Sequence, residues 1–371
     1  MSSAISINGR FLTQSISGVQ RYAWEVVRQW DRMLATGLAA GQAPDVELLC
    51  PAGATLPGPL AAIRVRTVGT LQGHAWEQWS LPRAARGRRL VNLCNVAPLM
   101  HGSQMVTIHD AAVFAAPAGY SRKFIAWYRF VYRVLVARGA RIVTVSEFSR
   151  DELRRFLGAR LAIDVVHESG DHIAEVAPDA GLVPDAGLVG GRYVLAVSSM
   201  NPNKNFGAIV KAFESKAFPG VELVVAGGTN PKVFAASGNL PAGVRHLGYV
   251  TDGQLRALYE AAACFVFPSR YEGFGLPPLE AMVSGCPVIS SRAASMPEIC
   301  GPAALYFDPD DPAELAARLE EVLADPVVAS RLRAAGIDRA RQFTWQRCAA
   351  SLWAIAAGSW PVSRSVPLVS S

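Results

Sequence analysis

The sequence lacks any apolar run long enough to cross a lipid bilayer. Such a helix needs about 20 consecutive apolar residues, and no apolar stretch among these 371 residues reaches that length. The N-terminal stretch MSSAISINGRFLTQ also lacks the basic region and apolar core of a secretory signal peptide. We therefore expect a cytoplasmic protein, with peripheral attachment to the inner face of the plasma membrane as the alternative.

Cysteine and histidine are scarce, with six of each in the chain. No two cysteines have C-x-x-C spacing, so the sequence predicts neither a zinc site nor a disulfide framework. Because the cysteines stand among apolar residues, we expect buried thiols in a reducing compartment. Acidic, histidine and cysteine residues do not cluster either, so we expect no bound metal and no cofactor.

Apolar residues are abundant, at 51% of the chain, and its length suits two domains of roughly 150–200 residues each. Residues 1–170 carry a net charge of +9 and residues 171–371 a net charge of −3. A basic half can attract phosphates, nucleic acid or anionic lipid, and the alternative is an ordinary solvated surface. No aromatic and basic strand motif supports nucleic-acid binding, so we expect no nucleic-acid partner.

Short apolar runs alternate with helical patterns along the chain. Seven strand-like runs lie between Ala4 and Val166, and five more lie between Tyr193 and Ser290. Alternation at this interval predicts parallel sheets with helices on both faces, which is the α/β class. Residues 177–191, APDAGLVPDAGLVGG, are rich in glycine, proline and alanine and predict a linker or an irregular excursion.

The pattern thus predicts two doubly wound, Rossmann-like domains that face each other across a cleft. The first spans residues 1–172 and the second residues 190–345. The predicted helical stretch Phe343–Ala356 carries Trp345 and Trp353, which need a surface on which to dock, and we expect helix 346–360 to pack back on the first domain. Ligands of such sheets bind at the carboxyl ends of the strands, so the cleft is the expected site.

The sharpest motif is PSRYEGFGLPPLEAM, residues 268–282, directly after an apolar strand. Gly273 and Gly275 let the backbone approach a ligand, and a helix predicted to start near Pro277 offers unpaired N–H groups. This pairing suits an anion such as a diphosphate.

Two carboxylates, Glu272 and Glu280, belong to the same motif. A carboxylate accepts two hydrogen bonds from a vicinal diol, so each suits a sugar or a ribose ring. The alternative is that Glu280 is an ordinary acid on a helix face and that the glycines only form a turn.

This motif resembles the E-x7-E signature of the family 4 retaining glycosyltransferases, which have the GT-B fold. The resemblance covers nearly the whole chain, is strongest from Leu195 to Phe307, and points to the mannosyltransferase-B-like subgroup. It implies that Glu272 contacts hydroxyls of the donor sugar as a catalytic residue and that Glu280 binds the ribose hydroxyls. It also implies that sugar and phosphate of a nucleotide sugar are held by the backbone of Gly273, Phe274, Gly275 and Leu276.

A second motif, SSMNPNKNF at residues 198–206, follows a predicted strand. Lys204 is a point charge for phosphate, and it matches the lysine of the family's Pro-Arg-Lys-Asn pattern, which implies a diphosphate ligand. Asn203 stands where arginine is common, and Ser198 lies near the place of a further arginine in some members. One or two cations for the diphosphate are therefore missing. The alternative is an exposed lysine at a helix start.

In the first half, His109 and Asp110 follow the strand-like run Met105–Ile108. The resemblance implies that His109 lies by the anomeric carbon, contacts the donor sugar and supports positive charge at the reacting carbon. The alternative is a satisfied polar residue at a strand end. Asp110 is expected to orient or cap its loop instead of acting as a base.

The run Gly18-Val-Gln-Arg21-Tyr22 resembles the family's G-[IV]-x-R-Y run. This implies that Gly18 lets its loop face the donor phosphates. Arg21 is a candidate ligand of the diphosphate or the acceptor, and the alternative is an ion pair with an acid on its own helix. By the same resemblance, the backbone at Tyr249 and Val250 borders the nucleotide base.

Two further acidic positions are weaker candidates for functional residues. Glu298 also matches the family, with a structural role as the alternative. Asp308-Pro-Asp310 reads as the D-x-D metal motif of the other large glycosyltransferase fold, but it lies in a proline-rich turn ahead of a helix that we expect Asp311 to cap. We therefore predict no metal there.

One predicted helix, Ser121–Arg138, places Arg122, Arg129 and Arg133 on a single face with aromatic residues among them. A basic, aromatic-rich helix can lie on an anionic membrane, which would suit a lipid-linked acceptor. The alternative is a solvated basic face with the aromatic side chains in the core.

These expectations combine into a retaining hexosyltransferase. The subgroup resemblance implies transfer of mannose from GDP-mannose to a hydroxyl of a saccharide or lipid-linked saccharide during assembly of a surface polysaccharide or glycan. The nucleotide sugar is a co-substrate, and fixed N–H groups with Lys204 would stabilise the departing diphosphate. The alternatives are a GT-B sugar phosphorylase or epimerase, or a catalytically silent nucleotide-sugar-binding module.

Overall fold

The computed structural model describes residues 4–37, 44–197, 201–227 and 244–358. The chain divides into two compact units: residues 1–167 with 345–371 form the first, and residues 168–344 form the second. Residues 168–172, which the sequence-based boundary assigns to the first domain, therefore lie in the second unit. Ser198, the position compared with the family's arginine, lies outside the described residues.

The first unit is built on a parallel seven-stranded sheet of order β3-β2-β1-β4-β5-β6-β7. Its strands are β1 (Ile5–Asn8), β2 (Val46–Cys50), β3 (Arg64–Thr67), β4 (Arg89–Asn92), β5 (Gln104–Thr107), β6 (Arg141–Thr144) and β7 (Ile163–Val165). Its longer helices are α1 (Gly18–Ala35), α2 (Arg122–Ala137), α3 (Glu147–Leu157) and the terminal helix Trp345–Ala357. Shorter helical segments are Gly9–Thr13, Gly73–Ala75, Trp76–Ser80, Leu81–Ala84, Ala112–Ala115 and Pro117–Gly119. Central strands such as β1, β2 and β5 are buried along their whole length, as a sheet covered on both faces requires.

The terminal helix belongs to the first unit because its aromatic side chains pack on α1. Trp30 Nε1 donates a hydrogen bond to the carbonyl of Ala349 at 2.8 Å, and its ring meets Trp353 edge-on at 5.3 Å. Trp345 lies 6.0 Å from the ring of Tyr22. Two buried tryptophans and a satisfied indole N–H thus anchor the end of the described chain.

The second unit has a parallel six-stranded sheet of order β10-β9-β8-β11-β12-β13. Its strands are β8 (Tyr193–Val197), β9 (Glu222–Ala226), β10 (Val244–Gly248), β11 (Cys264–Phe267), β12 (Val288–Ser291) and β13 (Ala304–Phe307). Its longer helices are α4 (Phe206–Ser215), α5 (Asp252–Ala261), α6 (Leu276–Val283), α7 (Pro312–Ala324) and α8 (Pro326–Ala340). Shorter helical segments are Asp171–Glu175, Leu182–Asp185, Pro202–Lys204, Met296–Cys300 and Gly301–Ala303.

Two predicted helix caps are confirmed. At the start of α5, Thr251 Oγ1 accepts from the N–H of Gln254 while the Gln254 side chain accepts from the N–H of Thr251, which is a complete capping box. At the start of α7, the Asp311 carboxylate accepts from two backbone N–H groups and Pro312 stands in the first turn. The run Asp308–Asp310 therefore leads into a capped helix, as expected for a turn.

The sequence pattern does not predict two elements of the second unit. One is β13, a four-residue edge strand. The other is α8, whose buried positions include the small residues Gly336 and Ala340, so it shows no strong apolar stripe. The predicted linker 177–191 is irregular with one helical turn, and it lies within the second unit.

All six cysteines are free thiols, and all but Cys94 are buried, which confirms the predicted buried thiols without disulfides. Across the described ranges, no helix combines the length and apolar character needed to cross a bilayer.

Candidate active site

In both sheets the strand order reverses at one point, and loops diverge there. The reversal lies between β1 and β4 in the first unit and between β8 and β11 in the second. Ligands of doubly wound sheets bind outside the carboxyl ends of the strands at such a point. Lys204 follows β8 and Glu272 follows β11, so the second unit brings these two sequence-predicted residues together.

Lys204 and Glu272 form an ion pair. Lys204 Nζ lies 2.7 Å from Glu272 Oε1 and 5.5 Å from the centroid of the Phe267 ring. Their side chains are 27% and 15% exposed, so a ligand can reach them. The ammonium and the carboxylate neutralise each other at an accessible position, where a phosphate can bind the cation and a hydroxyl can donate to the carboxylate.

The two loops that carry this pair are fastened to each other. The N–H of Arg270 donates to the carbonyl of Asn203 at 2.8 Å. Asn205, in a left-handed conformation at φ 51°, donates through Nδ2 to the carbonyls of Pro268 and Pro309 at 3.2 and 2.7 Å. Asparagine is among the few residues that adopt this conformation readily. The side chain of Asn205 thus holds in place the loop that carries Lys204.

The glycine loop before α6 also has a defined geometry. Gly275 has φ 102°, and a Cβ there would lie 2.3 Å from Met296 Cε. Ser295 Oγ lies within hydrogen-bond distance of the carbonyls of Glu272 and Phe274, at 3.0 and 2.9 Å, and its one proton serves both. At φ 102°, any residue other than glycine at position 275 would be strained, and the serine fixes the loop on either side of Gly273.

The expectation about the start of α6 needs a correction. The helix begins at Leu276, and Pro277 and Pro278 occupy its first turn. Proline has no N–H, so of the first four helical residues only Leu276 and Leu279 carry an amide donor. Any anion-binding amides are therefore mainly those of the loop Gly273–Gly275 and of Leu276 at the start of the helix.

Glu280 has a different environment from Glu272. It is only 8% exposed, and both carboxylate oxygens have partners within the second unit. His172 Nε2 lies 3.2 Å from Oε1, and Tyr259 Oη donates to Oε2 at 3.2 Å. Neither partner was identified from the sequence, because His172 lies about a hundred residues before Glu280 in the short helical segment Asp171–Glu175, and Tyr259 lies on a separate helix, α5.

Tyr249 and Val250 stand between β10 and α5. Tyr249 is 73% exposed and Val250 is half-buried. β9 separates β10 from β8 in the sheet, so at about 4.8 Å per strand the two strands lie about 10 Å apart.

Glu298 is half-buried in the segment Met296–Cys300, and its backbone carbonyl accepts from Arg339.

In the first unit, His109 is buried after β5. Its Nε2 donates to the carbonyl of Leu93 at 2.9 Å, so Nε2 carries the proton. Its backbone N–H donates to Asn95 Oδ1 at 2.8 Å, and its ring meets Tyr22 edge-on at 4.7 Å. Asp110 Oδ1 accepts from the N–H of Ala112 at 2.7 Å, so this carboxylate contacts the backbone of its own loop.

Gly18 and Arg21 lie in the first turn of α1. Gly18 is exposed at the start of the helix and Arg21 is half-buried. The N–H of Arg21 donates to the carbonyl of Ser17 at 2.9 Å, so the residue is held as part of the first turn.

The first unit also contains a charged cluster that the sequence did not reveal. Glu77, 1% exposed on the π-helical turn Trp76–Ser80, accepts from Asn8 at 3.0 Å and lies 3.4 Å from Arg10 Nε. Arg10 also lies 3.2 Å from His74 Nδ1. These side chains gather at the carboxyl end of β1, beside the reversal point of the sheet.

The arginine face predicted on α2 is partly used within the unit. Arg129 Nε donates to the carbonyl of Val113 at 2.8 Å, and the guanidinium groups of Arg129 and Arg133 lie over the Phe114 ring at 5.2 and 5.4 Å. Arg122 remains at the exposed start of the helix, and Phe130 is 51% exposed.

Comparison with known proteins identifies the class. Residues 187–343 match the family described as glycosyl transferases group 1. Over 262 residues the chain is 32% identical to O-antigen chain mannosyltransferase B of Escherichia coli, a match that covers 66% of this chain and 67% of that relative.

Solved structures agree on the fold. Sucrose-phosphate synthase from Thermosynechococcus elongatus superposes with a TM-score of 0.73 at 18% identity, over 95% of this chain and 98% of that one. HepE from Anabaena, solved in complex with UDP and glucose, gives 0.72 at 16% identity, over 94% and 98%. The fold is that of the GT-B glycosyltransferases, with two Rossmann-like domains. The chain belongs to the group 1 glycosyltransferases, and it is a glycosyltransferase enzyme.

Proposed function

We propose that the protein is a retaining mannosyltransferase that moves mannose from GDP-mannose to a hydroxyl of a saccharide or lipid-linked saccharide, in the assembly of a surface polysaccharide or glycan. The observation that carries the proposal is the accessible Lys204–Glu272 pair beside the Gly273–Leu276 loop, at the reversal point of the second sheet. The choice of mannose is supported by the O-antigen mannosyltransferase among the relatives.

The donor is assigned to the second unit. Lys204 binds the diphosphate, and Glu272, released from its ion pair, accepts from hydroxyls of the sugar. The backbone N–H groups of the loop up to Leu276 add donors at the phosphate end. Glu280 binds the ribose diol, and the backbone at Tyr249 and Val250 borders the base.

Leaving-group stabilisation is the main catalytic contribution in this scheme. Negative charge develops on the diphosphate as the glycosidic bond breaks, and Lys204 with fixed amides neutralises it without reorganisation. His109 would contact the sugar near the anomeric carbon. Its Nε2 proton is committed to Leu93, so its tautomer is set before any ligand binds. A donor phosphate oxygen assists deprotonation of the acceptor on the same face, which gives retention.

The first unit is proposed to bind the acceptor and to touch an anionic membrane from the cytoplasmic side. Exposed Phe130 supports this, together with Arg122 and Lys123 at the exposed start of the same helix, since apolar rings and cations on one helix bind such surfaces. Arg129 and Arg133 contribute less, because both stack on Phe114. Among the described residues, no group of three or more histidine, cysteine or acidic side chains could hold a metal ion.

The decisive experiment is ligand-induced stabilisation by GDP-mannose, UDP-glucose, GDP and UDP without metal. A ligand at 100 times its dissociation constant stabilises the folded state by about 2.7 kcal/mol, which is a shift of about 5–10 °C for a unit of this size. We expect selective stabilisation by GDP-mannose and GDP.

The matched variants are Lys204→Ala and Lys211→Ala, the latter an exposed lysine on α4. Only Lys204→Ala should abolish the increase in melting temperature caused by GDP-mannose and GDP. Stabilisation by UDP compounds alone would reassign the donor, and the absence of any response would refute the proposed use of a nucleotide-sugar donor. Release of phosphorylated sugar from a glycan with inorganic phosphate would instead indicate a phosphorylase.

A further inference from the structure

We infer that His172 and Tyr259 are positioning residues that hold the Glu280 carboxylate in the orientation that binds the ribose diol of the donor nucleotide. The inference rests on the proposed function, because it takes Glu280 as the ribose ligand. It adds two residues outside the E-x7-E motif.

The first step is the cost of burying Glu280. With 8% of its surface exposed, its carboxylate has lost most of its water, and a buried charge requires compensating hydrogen bonds. His172 Nε2 at 3.2 Å from Oε1 and Tyr259 Oη at 3.2 Å from Oε2 supply one partner for each oxygen. The two contacts also fix the plane of the carboxylate.

The second step is the remaining capacity of the carboxylate. Each oxygen can accept two hydrogen bonds, so one protein partner per oxygen leaves one acceptor position on each. Two adjacent acceptor positions match two vicinal hydroxyl donors. An arrangement in which a single oxygen received both partners would leave the two oxygens unequal, and the diol would lose one of its two contacts.

The third step is the rigidity of the two partners. Tyr259 is fully buried on α5 and meets Phe265 edge-on at 5.3 Å. Burial and the neighbouring charge of Glu280 raise the pKa of Tyr259 well above its usual value, so its hydroxyl remains a donor. Its ring and proton are therefore both fixed.

The segment that carries His172 is equally constrained. A Cβ on Gly170 would lie 2.6 Å from the backbone nitrogen of Glu280, so glycine is needed for this close approach. Ser169 Oγ lies 2.9 Å from the carbonyl of Phe343 and 2.8 Å from Asp171 Oδ1. His172 is 4% exposed. The histidine thus stands on backbone that is fitted against α6.

The test compares GDP with 2′,3′-dideoxy-GDP, which lacks both ribose hydroxyls, with UDP and its dideoxy analogue in parallel. Wild-type protein should bind GDP about 10- to 100-fold more tightly than the analogue, since hydrogen bonds to a charged group are strong. His172→Ala and Tyr259→Phe should each weaken GDP about 5- to 20-fold and leave the analogue within about twofold. Glu280→Gln should also reduce the ratio of the affinity for GDP to the affinity for its dideoxy analogue.

Two further variants control the measurement. Tyr193→Phe removes a buried hydroxyl that donates to the carbonyl of Leu258 at 2.6 Å, at the amino end of β8, and it should leave the ratio unchanged. His172→Gln keeps an N–H donor and should restore part of the ratio. If His172→Ala does not fold, Tyr259→Phe carries the test alone, because it removes one hydroxyl without changing the shape of the ring.

Two outcomes would overturn the inference. Equal weakening of GDP and its analogue by the variants would show a purely structural role. Equal binding of the two ligands by wild-type protein would show that Glu280 does not bind the ribose, while donor binding itself would stand. Absence of binding by any of the four nucleotides would instead refute the proposed function, so the two failures are distinguishable.

Discussion

Replacing Gly275 by alanine should destabilise the second unit and weaken nucleotide binding together. The residue has φ 102°, and an added Cβ would lie 2.3 Å from Met296 Cε and 3.1 Å from its sulfur. Holding a non-glycine residue in such backbone costs about 1–3 kcal/mol. Forcing extra volume against a buried neighbour costs about a further 1–3 kcal/mol, although the flexible methionine side chain keeps this second cost low.

The expected loss is therefore about 2–4 kcal/mol, a large part of the roughly 5–15 kcal/mol that stabilises a typical protein. Urea denaturation followed by circular dichroism measures this loss, because all eight tryptophans of the chain lie outside residues 168–344. Because the loop from Gly273 to Leu276 is assigned to the donor phosphates, the variant should also bind GDP at least about tenfold more weakly, equivalent to about 1.4 kcal/mol.

The matched control is Gly207→Ala, in the first turn of α4. Gly207 has no atom within 4 Å of an added Cβ, and alanine is the better helix former by up to about 1 kcal/mol. This control should leave stability unchanged or raised, with normal GDP binding. If Gly275→Ala were as stable as wild-type protein and bound GDP normally, the assignment of a steric and conformational requirement to position 275 would be wrong.

Three further predictions address other parts of the molecule. Glu77→Gln should destabilise the first unit by about 3–5 kcal/mol in urea denaturation, because Arg10, 7% exposed, would lose its charge partner; a cost under about 1 kcal/mol would contradict this. Burial raises the pKa of Cys50 to about 11 from a usual 9.0, so between these pH values the thiol keeps its proton in the folded state and loses it in the unfolded chain. The free energy of unfolding should therefore be unaffected below pH 9 and fall between pH 9 and 11. Denaturation at a series of pH values, with Cys50→Ala as the control, measures this fall. Anionic vesicles should sediment the wild-type protein at low salt, and they should sediment a smaller fraction of Phe130→Ser. Sedimentation of an equal fraction of wild-type protein by neutral vesicles would refute an electrostatic contribution.

Much of the fold could be read from the sequence because the pattern of both sheets is strong. Fully apolar strands such as β11, together with capped helices such as α5 with its capping box at Thr251, define the doubly wound class and most element bounds within two residues. The exceptions have physical reasons. The edge strand β13 is only four residues long, and α8 buries Gly336 and Ala340, which do not form an apolar stripe.

The candidate site was predictable only where the residues share a motif. Glu272 and Glu280 are eight positions apart, and Lys204 follows a strand in the same way, so local spacing identifies them. His172, Tyr259, Arg10 and Glu77 depend on contacts between distant segments that only the folded chain brings together. No local signal separates a histidine in a short helical segment such as Asp171–Glu175 from a surface residue.

Both units place an ion pair near the reversal point of the sheet, and burial distinguishes their roles. In the first unit, Arg10 and Glu77 have side chains 9% and 1% exposed, so removing either partner leaves a charge with little access to water. In the second, Lys204 and Glu272 are 27% and 15% exposed, and water or a ligand can replace either partner at low cost. The first pair is suited to fixing a loop, whereas the second can exchange its internal contact for a phosphate and a hydroxyl. The same position in the topology therefore holds a buried cluster in one unit and, in the other, the accessible ion pair that we propose as the donor site. Arg10→Ala should consequently lower stability more than Lys204→Ala, while Lys204→Ala should lower donor affinity more than stability.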